Sequence, residues 1–189
     1  IKEKEEIDNV LKDIDFPIVM KIISYDVLHK SDIGGVILNI KNKEEALNSY
    51  DKIRNIAKER SIRFEGVLIE EMAPQGIEII IGAKRDEQFG PIVMFGLGGI
   101  FVEVFNDISL RIIPIDKNEA LEMISEIRAY PIIKGIRGRE GCDIDSLADL
   151  ILKVSKIMMD IPNIKEMDLN PVIAYKKGYR VVDARIILS

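Results

Sequence analysis

Residues 166–185 read Glu166-Met-Asp168-Leu-Asn170-Pro171-Val-Ile-Ala-Tyr-Lys-Lys-Gly178-Tyr-Arg-Val-Val-Asp183-Ala-Arg185, and no other segment of the chain is as informative. Apolar residues flank a short polar turn, which predicts a β-hairpin. Because alternate side chains of a strand share a face, Asp168 and Asn170 point the same way, as do Asp183 and Arg185. The hairpin therefore brings four polar side chains to one face.

The turn sets how these residues pair. With Lys177-Gly178 as a two-residue turn, Asn170 pairs with Arg185 and Asp183 falls opposite Val172. A loop of two or four residues, or a compensating bulge, keeps Asn170 and Asp183 on one face, whereas a one-residue slip separates them.

The chemistry of this face suits a metal. Mg²⁺ usually takes one or two protein carboxylates and completes its octahedron with phosphates and water. Asp168, Asn170 and Asp183 are therefore candidate ligands, and the Arg185 guanidinium suits a neighbouring phosphate chain. The alternative is a solvated hairpin face with charges placed by chance.

Composition narrows the class of protein. A chain of 189 residues with 47% hydrophobic and 31% charged residues is typical of a globular domain with a real core. The net charge of -5 argues against a nucleic-acid partner. The single cysteine, Cys142, excludes an internal disulfide and is expected to be an inert thiol. No apolar run approaches the roughly 18 residues of a membrane span, and the acidic start is unlike a signal peptide, which favours a cytoplasmic protein.

Hydrophobic periodicity predicts interleaved strands and helices. An opening helix is followed by predicted strands at Ile18–Ile23, Val36–Ile40, Val67–Met72, Ile77–Ala83, Ile92–Phe95, Phe101–Phe105 and Leu110–Ile113, and by helices at Lys43–Glu59, Asn118–Arg128 and Ile144–Met159. Several connections are too short for crossover helices, so the class is α+β with largely antiparallel sheets. A Rossmann fold is disfavoured because Phe95-Gly96-Leu-Gly98-Gly99 precedes a strand, not a helix.

Lys21 interrupts the apolar strand Ile18–Ile23. A lysine there must either meet an anion or reach solvent at an exposed edge, because burying an unpaired ammonium is costly. The loop that follows, residues 24–35, ends in Gly34-Gly35 and resembles loops that fold over phosphates with backbone N–H groups.

Further charged residues stand at strand ends or inside strands. Glu70 and Glu71 end a strand, and Glu78 lies beyond the next turn; a strand end can read an adenine edge and a carboxylate can accept from ribose hydroxyls, or all three can be solvated. Glu103 is expected to pair structurally, and Arg111 is a candidate catalytic residue that could equally pair. The loop Gly135–Gly141 could touch a polyphosphate or be a surface turn.

The order of these segments resembles an ATP-grasp nucleotide-binding fold, and more closely the β-subunit, or equivalent domain, of ADP-forming acyl-CoA synthetases related to succinyl-CoA synthetase. The motifs that carry the resemblance are Phe16-Pro17-Ile-Val-Met-Lys21, His29-Lys30-Ser31-Asp32-Ile-Gly34-Gly35-Val36, Phe89-Gly90-Pro91, Phe95–Glu103, Lys134–Gly138, Asp168-Leu-Asn170-Pro171 and Val182-Asp183-Ala184-Arg185. The His-Lys-Ser-Asp and Phe-Gly-Leu-Gly-Gly stretches are specific. The scattered acids are not.

The resemblance implies two lobes that clasp a nucleotide, residues 1–70 and 71–189, the first shortened at its start relative to the family. It assigns Lys21, Gly34 and Gly35 to the phosphates. The other roles it implies are Glu70, Glu71 and Met72 as the adenine hinge, Glu78 near the ribose, Asn170, Asp183 and Asp168 on Mg²⁺, and His29, Lys30 and Arg111 in catalysis.

The resemblance also implies a reaction: acyl-CoA, ADP and phosphate give acid, CoA and ATP through phosphohistidine. The chain would be the ATP/ADP- and Mg²⁺-binding part of an acid–thiol ligase, inactive without a CoA-binding α-subunit or fused domains that carry a phosphohistidine. A regulatory nucleotide-binding domain, as in some protein acetyltransferases, is the alternative. A carboxylate–amine ligase is weakened because the chain has no room for a separate substrate domain.

Overall fold

The computed structural model describes residues 1–27, 29–99, 106–136, 138 and 140–189. Within them the chain divides into two compact units, Ile1–Met72 and Ala73–Ser189. Each unit contains its own antiparallel sheet and its own hydrophobic core. No helix within these described ranges is both long and apolar enough to cross a membrane.

The first unit is built on a three-stranded sheet. Its strands are β1 (Ile18–Ile23), β2 (Val36–Ile40) and β3 (Gly66–Glu71), in the order β2-β1-β3, so β1 is the central strand. A short 3₁₀ turn leads into α1 (Ile7–Val10), and α2 spans Lys43–Glu59. Helix α2 begins where the side chain of Asn42 accepts a hydrogen bond from the Glu45 N–H at 2.9 Å, a favoured N-cap.

The core of the first unit lies on one face of β1. Ile18, Met20 and Ile22 are fully buried there and cluster with Tyr50 and Ile53 of α2. Burying such a side chain contributes about 1.5–3 kcal/mol. Because strand side chains alternate, Val19, Lys21 and Ile23 occupy the other face of the sheet.

The second unit is larger. Its elements are β4 (Ile77–Asp86), β5 (Gly90–Leu97), β6 (Ile108–Ile112), α3 (Lys117–Glu126), α4 (Tyr130–Lys134), α5 (Ile144–Asp160), β7 (Ile164–Ala174), β8 (Tyr179–Val181) and β9 (Ala184–Leu188). The strand order is β6-β5-β4-β7-β8, and β9 also pairs with β7. Every pairing is antiparallel.

Helices pack on one face of this sheet, here called the helix face. Ile79, Ile81 and Phe95 point to it and form a core with Leu147 and Ile151 of α5. The alternate residues of β4, which include Glu78, lie on the opposite face.

The architecture confirms the predicted α+β class with antiparallel sheets and excludes a Rossmann fold. The predicted bounds of β1, β2 and α2 coincide with those observed. The short helix α4 was not predicted, and the predicted strand Phe101–Phe105 lies outside the described residues.

Asp143 ties the start of α5 to the turn between β7 and β8. Its carboxylate accepts hydrogen bonds from the Gly178 N–H at 2.8 Å and the Ser146 N–H at 3.1 Å. Its own N–H donates to the Tyr175 carbonyl at 2.8 Å. The bond from Gly178, and then that from Ser146, hold the pKa of Asp143 below its usual range. One carboxylate thus fixes a helix and a hairpin turn together.

Arg85 of β4 makes the corresponding tie at the other end of α5. Its guanidinium donates to the carbonyls of Met158 and Ile161, near the end of the helix, and to that of Ile164 at the start of β7. The Met158 carbonyl lies in the last turn of the helix, where carbonyls lack an intrahelical partner, and the arginine supplies one. The Ile161 carbonyl also accepts from the Ile164 N–H at 3.1 Å.

We predict that Asp143→Asn lowers the free energy of unfolding at neutral pH, because asparagine loses the charge that favours both N–H bonds. A carboxyl whose folded pKa is depressed stabilises the protein above its unfolded pKa, and this contribution disappears as pH falls through the folded pKa. The difference between wild type and variant in urea unfolding should therefore shrink toward zero on acidification below about pH 4. Asp145→Asn, in the first turn of the same helix, is the matched control, and an equal pH-dependent loss in that variant would contradict the assignment.

Candidate functional site

The hairpin forms with a different register from the one expected for a two-residue turn. Ala174 pairs with Tyr179, so the connecting loop has four residues, Tyr175–Gly178. This loop is closed by the bond from the Tyr175 N–H to the Gly178 carbonyl at 3.1 Å. The expected two-residue turn at Lys177-Gly178 is therefore wrong, because Tyr179 pairs with Ala174 and not with Lys176, two residues further along the chain. The alternative of a four-residue loop is confirmed.

The new register pairs the candidate ligands more directly. Asp168 pairs with Arg185, and the Asn170 N–H donates to the Asp183 carbonyl at 3.1 Å. Asn170 thus stands opposite Asp183, not Arg185, and Asp183 does not stand opposite Val172. Residues directly opposite in an antiparallel pair share a face, so Asp168, Asn170 and Asp183 lie on one face.

A bulge in β7 separates the ligand-bearing part of the strand from its end. Ile81 of β4 pairs with Leu169, whereas Ile79 pairs with Val172, so β7 holds one extra residue near Asn170-Pro171. Leu169 and Val172 both reach the core of the helix face because of it. Asp168 and Asn170 then occupy the opposite face, with Asn170 exposed and Asp168 half-buried.

Arg185 is on the same face but is engaged with a carboxylate. Its guanidinium forms an ion pair with Glu166 at 2.7 Å, two residues along β7 from Asp168. Sequence reasoning did not identify Glu166 as this partner, although the period of two in residues 166, 168 and 170 carried the signal. Glu166 therefore holds the cation next to the candidate metal ligands.

Glu78 lies on this opposite face too. It pairs with Ile173 of β7, and its side chain is exposed. The sheet thus brings one further candidate carboxylate, near the start of β4, to the face that bears Asp168, Asn170 and Asp183.

Arg111 is not brought to this face. It pairs with Val93, whose side chain is in the core of the helix face, and its guanidinium forms an ion pair with Glu126 of α3. Hydrogen bonding to Glu126 raises the pKa of Arg111 and lowers that of Glu126. Arg111 thus forms the structural pair that the sequence left open, between β6 and α3, and its catalytic role stays a prediction.

Lys21 is buried and paired. It is 4% exposed on the central strand of the first unit, and its Nζ lies 2.7 Å from Glu70 Oε2. The alternative of an exposed edge lysine is therefore wrong, because β1 has a neighbour on both sides. The buried ammonium thus pairs with a carboxylate whose side chain is 39% exposed.

The strand end beyond Glu70 has backbone groups already in use. The Met72 N–H donates to the Pro17 carbonyl at 2.9 Å, and the Met72 sulfur lies 3.3 Å from the Asn39 nitrogen. Glu71 is exposed. A purine edge at this hinge would therefore need groups other than the Met72 N–H.

The glycine loop differs from the expected phosphate cradle. The Gly34 N–H donates to the Ser31 carbonyl at 3.0 Å and the Gly35 N–H donates to the Lys30 carbonyl at 2.8 Å. A Cβ at Gly35 would stand 2.6 Å from Ile22 Cγ2, so only glycine fits against β1. Both glycines shape the turn, and their N–H groups are engaged within it.

His29 and Lys30 lie at the start of this turn, and His29 is exposed. The neighbouring Leu28 lies outside the described residues, as do Glu103 and the arginines of the Gly135–Gly141 loop. Burial raises the pKa of the Cys142 thiol to about 11, which agrees with its expected inertness.

The donor set on the second unit fits a hard divalent cation. Two carboxylates and an amide oxygen on one face match the partial protein shell of Mg²⁺, which phosphate and water oxygens complete. The described residues contain no group of three or more His, Cys, Asp or Glu arranged to hold a metal, so Asn170 and ligand oxygens would be required.

The sequence and the fold are matched by known proteins. The family model of the ATP-grasp domain matches residues 1–188, and the chain belongs to that family. Its fold is the ATP-grasp fold, as the resemblance implied.

Named relatives narrow the class further. The chain is 49% identical to acetate–CoA ligase (ADP-forming) I subunit beta of Pyrococcus furiosus, over 99% of this chain and 82% of that protein. It is 46% identical to acetate–CoA ligase (ADP-forming) I of Archaeoglobus fulgidus, over 98% of this chain. The chain spans 27% of the length of that longer protein.

Solved structures agree. The dinucleotide forming acetyl-coenzyme A synthetase 1 of Ca. Korarchaeum cryptofilum, in complex with coenzyme A, Ca-AMPCP and HgCl+, matches with a TM-score of 0.96 at 48% identity, and the match covers 100% of this chain and 83% of that one. Another structure of that protein holds coenzyme A and Mg-AMPPCP, with a phosphohistidine segment pointing towards the nucleotide binding site; its TM-score is 0.85 at 46% identity, over 99% of this chain and 83% of that one.

Proposed function

We propose that this chain is the nucleotide-binding, phosphoryl-transferring part of an ADP-forming acyl-CoA synthetase. The whole enzyme would convert acyl-CoA, ADP and phosphate into free acid, CoA and ATP. The observation that carries the proposal is the 49% identity over 99% of the chain to a β-subunit of such a ligase. The Mg-AMPPCP in a relative of 46% identity supports nucleotide and Mg²⁺ as its ligands.

In the first unit, Lys21 would contact the nucleotide phosphates. Its ammonium is already desolvated, so an added phosphate oxygen would meet a cation with little hydration left to lose. Glu70 balances this charge when nucleotide is absent, and Glu71 and Met72 would border the base. Gly34 and Gly35 would support the loop, not the phosphates.

In the second unit, Asn170, Asp183 and Asp168 would hold Mg²⁺, which neutralises charge on the phosphate oxygens when it is bound. Glu78 would accept hydrogen bonds from the ribose hydroxyls. Glu166 would keep the Arg185 guanidinium in place beside these ligands.

Phosphoryl transfer would pass through histidine. His29 nitrogen would attack the phosphorus of a phosphohistidine from the partner domains, so that one P–N bond forms as the other breaks. A terminal oxygen of ADP would then attack that phosphorus and release neutral His29, giving ATP. Lys30 would help to neutralise the transferring charge.

The partner domains would bind CoA and carry the first phosphohistidine. Two arrangements are suggested by the relatives: the P. furiosus protein is named as a subunit, whereas the chain matches only part of the longer A. fulgidus protein. Either a separate α-subunit or fused domains would complete the enzyme, and the chain alone would be inactive.

Lys21→Met should weaken ADP binding by about 1.5–3 kcal/mol, the range for a hydrogen bond to a charged group. Its free energy of unfolding should change little, because methionine keeps the volume and removes a buried charge. Glu70→Gln should lower the free energy of unfolding, because it removes the negative charge of a carboxylate that lies 2.7 Å from the buried ammonium. Calorimetry and urea unfolding measure the two effects; unchanged ADP affinity in Lys21→Met would overturn its phosphate role.

Asp183→Ala should remove the Mg²⁺ dependence of ADP binding, with a loss of at least the roughly 10–100-fold seen on removing a supporting group from a metal site. Its melting temperature should stay close to that of wild type, because alanine keeps the carbonyl that accepts from Asn170. Titrating ADP with and without Mg²⁺ tests this, with Asp160→Ala as the charge-matched control. A large stability loss would instead mark Asp183 as structural.

His29→Ala should lose an acid-labile, base-stable label that wild type acquires from γ-labelled ATP when the partner domains are supplied. Ser31→Ala, which keeps the backbone carbonyl used by Gly34, should retain the label. Full turnover in His29→Ala would show that the phosphoryl group passes directly between the partner's histidine and the nucleotide. Nucleotide binding without any labelling or turnover in wild type would favour a regulatory domain.

A further inference from the structure

The segment Gly98-Gly99, directly after β5, packs against Glu78 of β4. The Gly98 N–H donates to the Glu78 carbonyl at 2.7 Å, which continues the β4–β5 ladder by one bond. This bond places the backbone of the segment alongside the only residue of β4 to which we assign a nucleotide contact.

Both glycines approach Glu78 so closely that an added Cβ would make contacts tighter than nearly all that side chains make. A Cβ at Gly98 would stand 3.1 Å from the Glu78 carbonyl carbon and Cβ, and 3.2 Å from the carbonyl oxygen. Gly99 has a φ of +67°, and a Cβ there would stand 3.2 Å from Oε2 of Glu78. Because Gly99 has no side chain, open space remains next to the Glu78 carboxylate.

This contact restricts an otherwise mobile group. Glu78 is exposed, and ordering a free glutamate side chain on ligand binding costs up to about 2 kcal/mol of rotamer entropy. A backbone wall on one side removes some of these rotamers in advance, which favours a hydrogen bond of fixed direction. A methyl group at 99 would stand 3.2 Å from Oε2, so the carboxylate would have to shift from the position that it takes beside glycine.

We propose that Gly98 and Gly99 are positioning residues that orient the Glu78 carboxylate toward the ribose hydroxyls of a nucleoside diphosphate, with Gly99 setting the side-chain direction. The segment thereby determines selectivity for a ribose with free hydroxyls. This inference rests on the ribose role given to Glu78 in the proposed function.

The chain contains a matched control for Gly99→Ala. Gly90, the first residue of β5, has a φ of +75°, and a Cβ there would meet no atom within 4 Å. Alanine at either position destabilises the backbone by a similar amount, because both positions have a positive φ. Only alanine at 99 meets the Glu78 carboxylate.

The measurement is the ratio of dissociation constants for 2′,3′-dideoxy-ADP and ADP with the full chain and Mg²⁺. Wild type and Gly90→Ala should share a ratio of roughly ten or more, the scale of one hydrogen bond to a charged group, and Gly99→Ala should lower it toward one. Affinity for dideoxy-ADP should stay constant in all three, which a general loss of structure would not allow.

Glu78→Ala distinguishes the ribose role of Glu78 from the positioning role of Gly99. If it leaves the ratio unchanged, the ribose role of Glu78 in the proposed function is wrong. If it lowers the ratio and folded Gly99→Ala keeps the wild-type ratio, the positioning role is overturned. In the Glu78→Ala background, Gly99→Ala should have no further effect on the ratio.

A second variant covers the case in which Gly99→Ala does not fold. Glu78→Asp shortens the side chain by one methylene, so its carboxylate no longer reaches the added methyl. The double variant should then fold with the urea midpoint of Gly90→Ala, and a double variant that remains unfolded would overturn the proposal.

Discussion

The pairing of β7 with β8 and β9 is the constraint on which the candidate site depends. The Asn170 N–H bonds the Asp183 carbonyl, and this register places an amide and two carboxylates on one face of the sheet. A shift of one residue would send one strand's ligands to the helix face. The bulge at Asn170-Pro171 lets the same strand carry Asp168 on one face and still return Val172 to the core.

In the first unit the main constraint is a buried positive charge. Lys21 lies inside a sheet and pairs with Glu70, a carboxylate that is partly exposed to water. The pair is asymmetric: removing the carboxylate takes a counter-charge from a buried cation, whereas removing the cation leaves a partly exposed anion. A ligand phosphate would therefore find the cation fixed and its counter-ion adjustable.

Strand and helix positions were predictable where apolar periodicity was unambiguous, as in β1 and α2, and the ATP-grasp family was predictable from motifs spread along the chain. The hairpin register was not, because Tyr175-Lys-Lys-Gly178 suits more than one turn and propensity does not choose between loops of equal parity. In β6 the buried face could not be predicted from the apolar residues, for a physical reason. Its apolar Leu110 and Ile112 are exposed, while Ser109 and Arg111 face the helices and bond to α3, the reverse of the usual pattern. The hydrogen-bond partners of the Gly34 and Gly35 N–H groups could not be predicted from the sequence either, because they depend on the folded path of the loop.

The two ends of α5 are anchored to different parts of the sheet. Asp143 bonds the start of the helix to the turn after β7, and Arg85 of β4 bonds the end of the helix and the start of β7. At 17 residues the helix is about 25 Å long, so it acts as a strut across the sheet. Hydrogen bonds thus link one end of this helix to the hairpin turn and the other end to β4. Local opening of the hairpin turn should therefore be coupled to the helix that covers the sheet, and not be confined to the turn.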